Sequence, residues 1–302
     1  MTGPRVVCVG NVVRDEVFHV DVLPAAGVKT DVRHYSDRFG GPAATAAVAI
    51  AHLGGSASFW GRVGTDAAGE AIAQALSRHG VDLHGLAAVP GARTVRSIVI
   101  VDGSGERSIA VDRMGLPATA GSVPKDLPED AAIVLADTRW PSGALAALAY
   151  ARQRKLPTVL DADGGSAADL ASLVEGSDHI IFSAQGARDF IGPGSPEDQL
   201  TRMSSLGARA IAITCGGLGS MWMTGGVITH LAAFPVEARD TTGCGDVFHG
   251  AYALAIAEGR ETLWAARFAS AVAARKAQNG AGWDGMPDRS AVIELMSKDL
   301  LP

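Results

Sequence analysis

The sequence predicts an α/β protein: a doubly wound, mostly parallel sheet flanked by helices, with a small second β-sheet added. Strand-like and helix-like patterns alternate along most of the 302 residues, which is the mark of repeated β–α units. The first segment, residues 6–13, is a continuous apolar run of the kind a strand buried on both faces shows. Against this rhythm, residues 16–39 and 94–112 carry alternating, β-type patterning with turn signals and no helix.

The elements follow in order. Residues 42–53 (PAATAAVAIAHL) are rich in Ala, open with Pro at a first helical position and stop at Gly54-Gly55, so a helix is expected there. Residues 58–63 read as a strand, and 66–78 as a helix closed by Gly80. Strands are expected at 132–136, 157–160, 179–182 and 208–214, and helices at 143–152, 244–257 and 261–278. Residues 96–101 and 107–111 flank Asp102-Gly103-Ser104-Gly105, a hairpin signal. A small sheet inserted into an α/β unit suits a lid that closes over a substrate and excludes water. With no internal repeat and no linker, the whole chain, residues 1–302, is expected to form one domain carrying lid segments at about 16–39 and 94–112.

Composition narrows the function. The chain is 47% hydrophobic and 19% charged, with 26 Lys+Arg against 32 Asp+Glu, for a net charge of −6. No basic stripe is available for nucleic acid. No apolar run reaches the length of a membrane span, so neither nucleic acid nor membrane is an expected partner. Three distant cysteines, Cys8, Cys215 and Cys244, make no disulfide framework or zinc ribbon, and a cytoplasmic protein without a signal peptide is expected.

The chemistry concentrates in Asp240-Thr241-Thr242-Gly243-Cys244-Gly245-Asp246, which runs directly into a predicted helix. Gly243 and Gly245 allow a tight turn with N–H groups pointing one way, and the helix adds the positive end of its dipole. That is an anion site suited to a phosphate in transfer. Asp246, in the first turn, stands where a carboxylate takes the proton from an attacking hydroxyl. Read without this chemistry, the motif is a glycine-rich cap that starts a helix.

The heptapeptide DTTGCGD resembles the C-terminal signature of the PfkB (ribokinase-like) carbohydrate kinases, DTTGAGD, with Cys244 in place of Ala. Two further stretches resemble that family in the same order: Gly40-Gly41-Pro42-Ala43-Ala44-Thr45, continuing to Leu53-Gly54, and Gly61-Arg62-Val63-Gly64-Thr65-Asp66. The resemblance spans essentially the whole chain. It implies a ribokinase-like fold and transfer of the γ-phosphate of ATP to a terminal hydroxyl of a ketose-like sugar, with Mg²⁺. Asp246 would be the base, with the amides of Gly243, Cys244 and Gly245 as the anion hole. Asp15, Gly40, Gly41 and Thr45 would meet the sugar, whose hydroxyls suit the two acceptor oxygens of Asp15. Thr214, Gly217 and Gly219 would form the nucleotide-binding turn, with His249 lining the same pocket. Asp240 marks the region of a monovalent cation, and a homodimer through the lid is implied as well.

Two departures from the family pattern stand out. Thr45 replaces an Asn, and Ser183-Ala184-Gln185-Gly186 replaces an N-x-x-E motif associated with Mg²⁺. Asp161 and Asp163, at a strand end, are alternative metal carboxylates, although strand-end Asp residues also form turns. Residues 40–49, 134–140, Ser183 with Gly186, and 245–251 are further similar to the 6-deoxy-6-sulfofructose kinase branch of the family. A sulfonate needs a cation, and Arg139 and Lys29 are the expected anchors. Val111 stands where that branch has a polar residue, with Arg113 just beyond. Other acceptors (fructose, ribose, a sugar acid, a nucleoside) and a non-catalytic sugar-binding regulator remain open at this point.

Overall fold

A computed structural model describes residues 3–298 apart from Gly105 and Met114, and the Arg107 side chain is likewise outside the description. In chain order the strands are Arg5–Val9 (β1), Val13–His19 (β2), His34–Gly40 (β3), Ser56–Gly64 (β4), Asp82–Val89 (β5), Arg96–Val101 (β6), Arg107–Asp112 (β7), Ala131–Asp137 (β8), Thr158–Ala162 (β9), His179–Ser183 (β10), Ala210–Thr214 (β11), Ser220–Thr224 (β12) and Val227–Leu231 (β13). The helices are Pro42–His52 (α1), Ala67–Arg78 (α2), Pro141–Arg154 (α3), Ala167–Glu175 (α4), Ala184–Ile191 (α5), Pro196–Met203 (α6), Cys244–Ala257 (α7), Thr262–Asn279 (α8) and Arg289–Lys298 (α9).

Nine strands form the main sheet in the order β13-β12-β11-β10-β9-β8-β1-β4-β5. Its pairings are parallel except β11–β12 and β12–β13, which are antiparallel. The chain builds outward from β1 through β4 and β5, then returns to the other side of β1 with β8. That reversal between β1 and β8 is where an open α/β sheet offers a crevice at its carboxyl edge. Both faces are covered. Buried side chains of α1, α7 and α8 pack on one, and those of α3 and α4 on the other.

The second sheet has the order β3-β2-β6-β7. Its β2–β3 and β6–β7 pairs are antiparallel, and β2–β6 is parallel. The expected hairpin is therefore present, although Gly105 of its turn lies outside the described residues. The lid starts earlier than expected. The apolar run 6–13 is not one strand: β1 ends at Val9, the Gly10 N–H makes a last bond to Trp60 O (3.0 Å), and Val13 already belongs to the second sheet. An apolar run looks the same whether it stays in one sheet or crosses to another. Elements with weaker patterning (β5, α4, α5, α6, β12, β13 and α9) were not expected from the sequence. No described helix is long and apolar enough to cross a membrane.

Candidate active site

At the carboxyl ends of β1 and β8, a cavity of about 520 Å³ opens between the main sheet and the lid. Its polar wall includes Asn11, Asp15, Gly41, Arg139 and Thr242, and its lid wall Val17, Val99, Ile109 and Val111. Asp15, on β2, accepts a short hydrogen bond from the Ser97 hydroxyl of the adjacent β6. Burial pushes its carboxyl above the ordinary range, while Ser97 and then Arg38 pull the other way. A Cβ on Gly40 would stand 2.7 Å from Asp15 Oδ2. Gly41 adopts φ +97°, and a Cβ there would lie 2.5 Å from Asn11 O, so only glycine brings α1 this close to the β1 end.

Four arginines, Arg38, Arg113, Arg139 and Arg239, line this cavity. Arg38 pairs with Asp240 (3.1 Å). Among the described residues the side chains of Arg113 and Arg239 make no hydrogen bond or ion pair, and the Arg139 guanidinium makes none either but acts on the buried carboxyls of Asp137 and Asp161, pulling both downward. In a chain of net charge −6, three guanidinium groups without a hydrogen-bonded partner at one cavity are a local bias toward an anion, with the charge of Arg139 partly met by Asp137 and Asp161.

A second cavity, about 530 Å³, lies between the β11–β12 turn and α8. Thr214, Gly217 and Gly219 form one side, and Phe234, Ala273, Ala274 and Ala277 give an apolar wall. The segment of residues 239–245 separates the two spaces. Arg239, Asp240 and Thr242 face the first, and Thr241, Cys244 and Gly245 face the second.

Gly243 caps α7 with φ +74°. The Cys244 N–H donates to Thr241 O (3.2 Å), closing a turn. The expected three-amide anion hole is corrected accordingly: the N–H of Cys244 is engaged, and the open donors of the first turn are those of Gly245 and Asp246. Asp246 sits in that turn. Burial first, and then the nearby Asp161, push its carboxyl up to about 8, with Asp137 and Asp163 adding to the rise and His249 opposing it.

Asp161, at the end of β9, is buried, and its Oδ1 has no hydrogen-bond partner. Burial and then Asp163 hold its carboxyl well above the usual range. Asp163 accepts from the Ser183 hydroxyl (2.7 Å). An orphaned carboxylate oxygen is a donor Mg²⁺ can use. Among the described residues no group of three or more His, Cys, Asp or Glu could hold an ion alone, so a Mg²⁺ here would take its remaining ligands from phosphate and water. The Asp240 carboxylate is different. It accepts from the Thr242 N–H (2.9 Å), pairs with Arg38, and stands near the buried Lys276 ammonium.

The pfkB family carbohydrate kinase profile matches residues 4–289. The chain belongs to the pfkB family of carbohydrate kinases. Among its relatives, ribokinase of Bacillus subtilis (strain 168) is 29% identical over 97% of this chain and 100% of that protein. The crystal structure of a ribokinase candidate from Agrobacterium tumefaciens superposes with TM-score 0.89 at 34% identity, covering 99% of each chain. Arabidopsis thaliana ribokinase, solved with ribose and ATP, superposes with TM-score 0.85 at 26% identity over 98% of this chain and 99% of that one. This pfkB-family chain is thus a phosphotransferase of the ribokinase fold.

Three expected site residues lie elsewhere in the pfkB-family chain. Thr45 is buried, and its hydroxyl accepts from Trp283 Nε1 (3.0 Å), so it supports α1 from behind and does not line the arginine-lined cavity. Lys29 is exposed on the β2–β3 connection and outside both cavities. His249 points inward. Its Nδ1 is 2.7 Å from Gly245 O and 3.4 Å from Asp161 Oδ2, so it backs the carboxylate cluster and does not line the second cavity. Arg239 and Asp137 were missed by sequence reasoning. Arg239 carries no signal beyond adjacency to the motif, and Asp137 sits inside an ordinary apolar strand run.

Proposed function

We propose that this kinase uses ATP to phosphorylate a terminal hydroxyl of an anionic, ketose-like sugar. 6-Deoxy-6-sulfofructose, converted to its 1-phosphate, is the acceptor the cavity suits best. The observation that carries the reading is Asp246 at a segment dividing two cavities, one with an apolar wall, the other lined by Arg113, Arg139 and Arg239, none of which makes a side-chain hydrogen bond.

In this reading the adenine lies beside Phe234 and the alanines of α8, and the phosphates reach the N-terminus of α7. The acceptor lies under the lid with its hydroxyls on Asp15 and its anion on Arg139. The Asp246 carboxylate takes the proton from the terminal hydroxyl as that oxygen bonds to the γ-phosphorus. The bond from the γ-phosphorus to the β-bridging oxygen breaks, and ADP leaves. The N–H groups of Gly245 and Asp246 face the charge that develops on the transferred group. Mg²⁺, held by Asp161 with Asp163 beside it, would neutralise phosphate charge when bound.

A second reading, ribose as acceptor, rests on full-length likeness to ribokinases. ADP release measured over fructose, ribose, 2-keto-3-deoxygluconate, adenosine and 6-deoxy-6-sulfofructose separates the two. The anionic ketose should exceed its neutral counterpart in kcat/KM by about 10-fold or more, the scale of one charged hydrogen bond. Arg139→Ala should remove most of that preference. If ribose is the fastest acceptor, or if Arg139→Ala slows neutral and anionic sugars equally, the anionic reading is wrong.

A further inference from the structure

The carboxylate of Asp137 does something no neighbouring group repeats. It lies at the last residue of β8, with the residue only 2% exposed, at the reversal of strand order between β1 and β8. Its Oδ2 accepts the Asn11 N–H (2.8 Å), just beyond the end of β1, and the Ala43 N–H (3.1 Å), in the first turn of α1. Its Oδ1 accepts the Arg139 N–H (2.7 Å). Three backbone segments from distant parts of the chain therefore end on two oxygen atoms.

Each of these segments is a wall of the acceptor cavity. Asn11 lines it directly, α1 begins at the cavity-lining Gly41 and Pro42, and Arg139 lines it as well. The helix N-terminus needs the help. Gly41, its capping residue, has no side chain to accept an N–H, and Pro42 has no N–H to offer, so Ala43 is the first donor that a remote carboxylate can satisfy. The space around the carboxylate is reserved as well. A Cβ on Gly10 would overlap the Asp137 carboxyl group, so the crossing from β1 into the lid is kept bare beside it.

We propose that Asp137 is a positioning residue for the acceptor. Its single buried carboxylate locks the β1 end, the α1 N-terminus and Arg139 into one rigid frame, and so sets sugar affinity without touching the sugar. The inference rests on assigning the arginine-lined cavity to the acceptor. The nucleotide cavity shares none of the three tethered residues, so losing the tether acts on acceptor KM, while losing the charge of Asp137 beside Asp161 and Asp246 acts on kcat.

Hydrogen exchange resolved at single amides tests the tether before any acceptor is known. In the wild-type protein the amides of Asn11, Ala43 and Arg139 should open together, with protection factors within about threefold of one another. Asp137→Asn leaves one oxygen and sets an NH₂ against the remaining donors, and should speed exchange at all three by at least tenfold. Affinity for the non-hydrolysable analogue AMP-PNP with Mg²⁺ should stay within twofold in the same variant. Turnover then tests the function: KM for the fastest acceptor of the panel should rise tenfold or more, with KM for ATP changed less than twofold. Independent opening of the three amides in the wild-type protein overturns the proposal even if the variant does not fold. So does a parallel loss of acceptor and nucleotide affinity. If the tether behaves as expected while acceptor KM is unmoved, the fault lies in assigning the cavity to the acceptor.

Discussion

At the scale of single residues, Asp246 carries the sharpest expectations. A carboxyl held near 8 is protonated over much of the neutral range, whereas a base must be free of its proton. Acceptor kcat/KM should therefore climb as pH rises through neutrality, with an apparent pKa far above an ordinary carboxylate. A profile already flat from pH 5.5 would exclude Asp246 as the base in that state. The same shift has a stability consequence. In the unfolded chain the carboxyl titrates near 3.9, as ordinary Asp does. Between that value and about 8 the folded state holds a proton the unfolded state has released, so raising the pH costs stability. Asp246→Asn removes this cost. It should cut kcat by about 10²–10⁴-fold yet raise Tm by about 2–4 °C at pH 8, with little gain near pH 4.5. Circular dichroism melts at the two pH values give the comparison. The place of Asp246 in the first turn of α7 was legible in the sequence because Gly-x-Gly-Asp at a helix start is a local pattern. Its electrostatic setting was not, because Asp137 and Asp161 reach it from β8 and β9, far away in the chain.

Among the elements, α1 and its approach decide how the acceptor cavity is shaped. The helix could be read from its Ala content, its leading Pro and its closing Gly-Gly, and the structure places it at Pro42–His52. What lies around it could not be read. Thr45 seemed a sugar contact because of where it falls in the motif, but a buried Trp283, brought in by the segment after α8, takes its hydroxyl. Gly41 gives the element its clearest test. At φ +97°, with a Cβ only 2.5 Å from Asn11 O, an alanine must both adopt a disfavoured backbone and push α1 away from the β1 end. Gly41→Ala should destabilise the protein by about 1–3 kcal/mol and raise the acceptor KM more than the ATP KM. Equal Tm and equal KM values would mean that the close approach is not needed.

On the scale of the whole molecule, the lid is a four-stranded sheet with two different faces. The inner face turns Asp15, Val17, Ser97 and Val99 to the cavity. The outer face presents Phe18 against Tyr35 (ring centroids 5.1 Å apart), with Ile100 paired to Phe18 and Ile98 paired to Glu16; Tyr35 is 46% and Ile98 45% exposed. The face is mixed, with Arg14 paired to Asp37 beside these rings, and its exposed Tyr35 and Ile98 suit pairing with a second small sheet. Light scattering after size exclusion should report a dimer, and Ile98→Glu should give a monomer; a wild-type monomer at tens of micromolar would rule the pairing out. The sequence by itself determined the α/β class, the presence of a non-helical insertion and the position of the phosphate-transfer motif, because each is encoded in residues close together along the chain. Only the tertiary structure decided where the lid begins, which arginines share a cavity, and which carboxylates burden Asp246. Arg113, Arg139 and Arg239 fall in three separate segments, and Asp137 binds amides at residues 11, 43 and 139. Hydrophobic periodicity records which side of an element is buried, but a single sequence holds no record of which distant polar groups meet once the sheet closes.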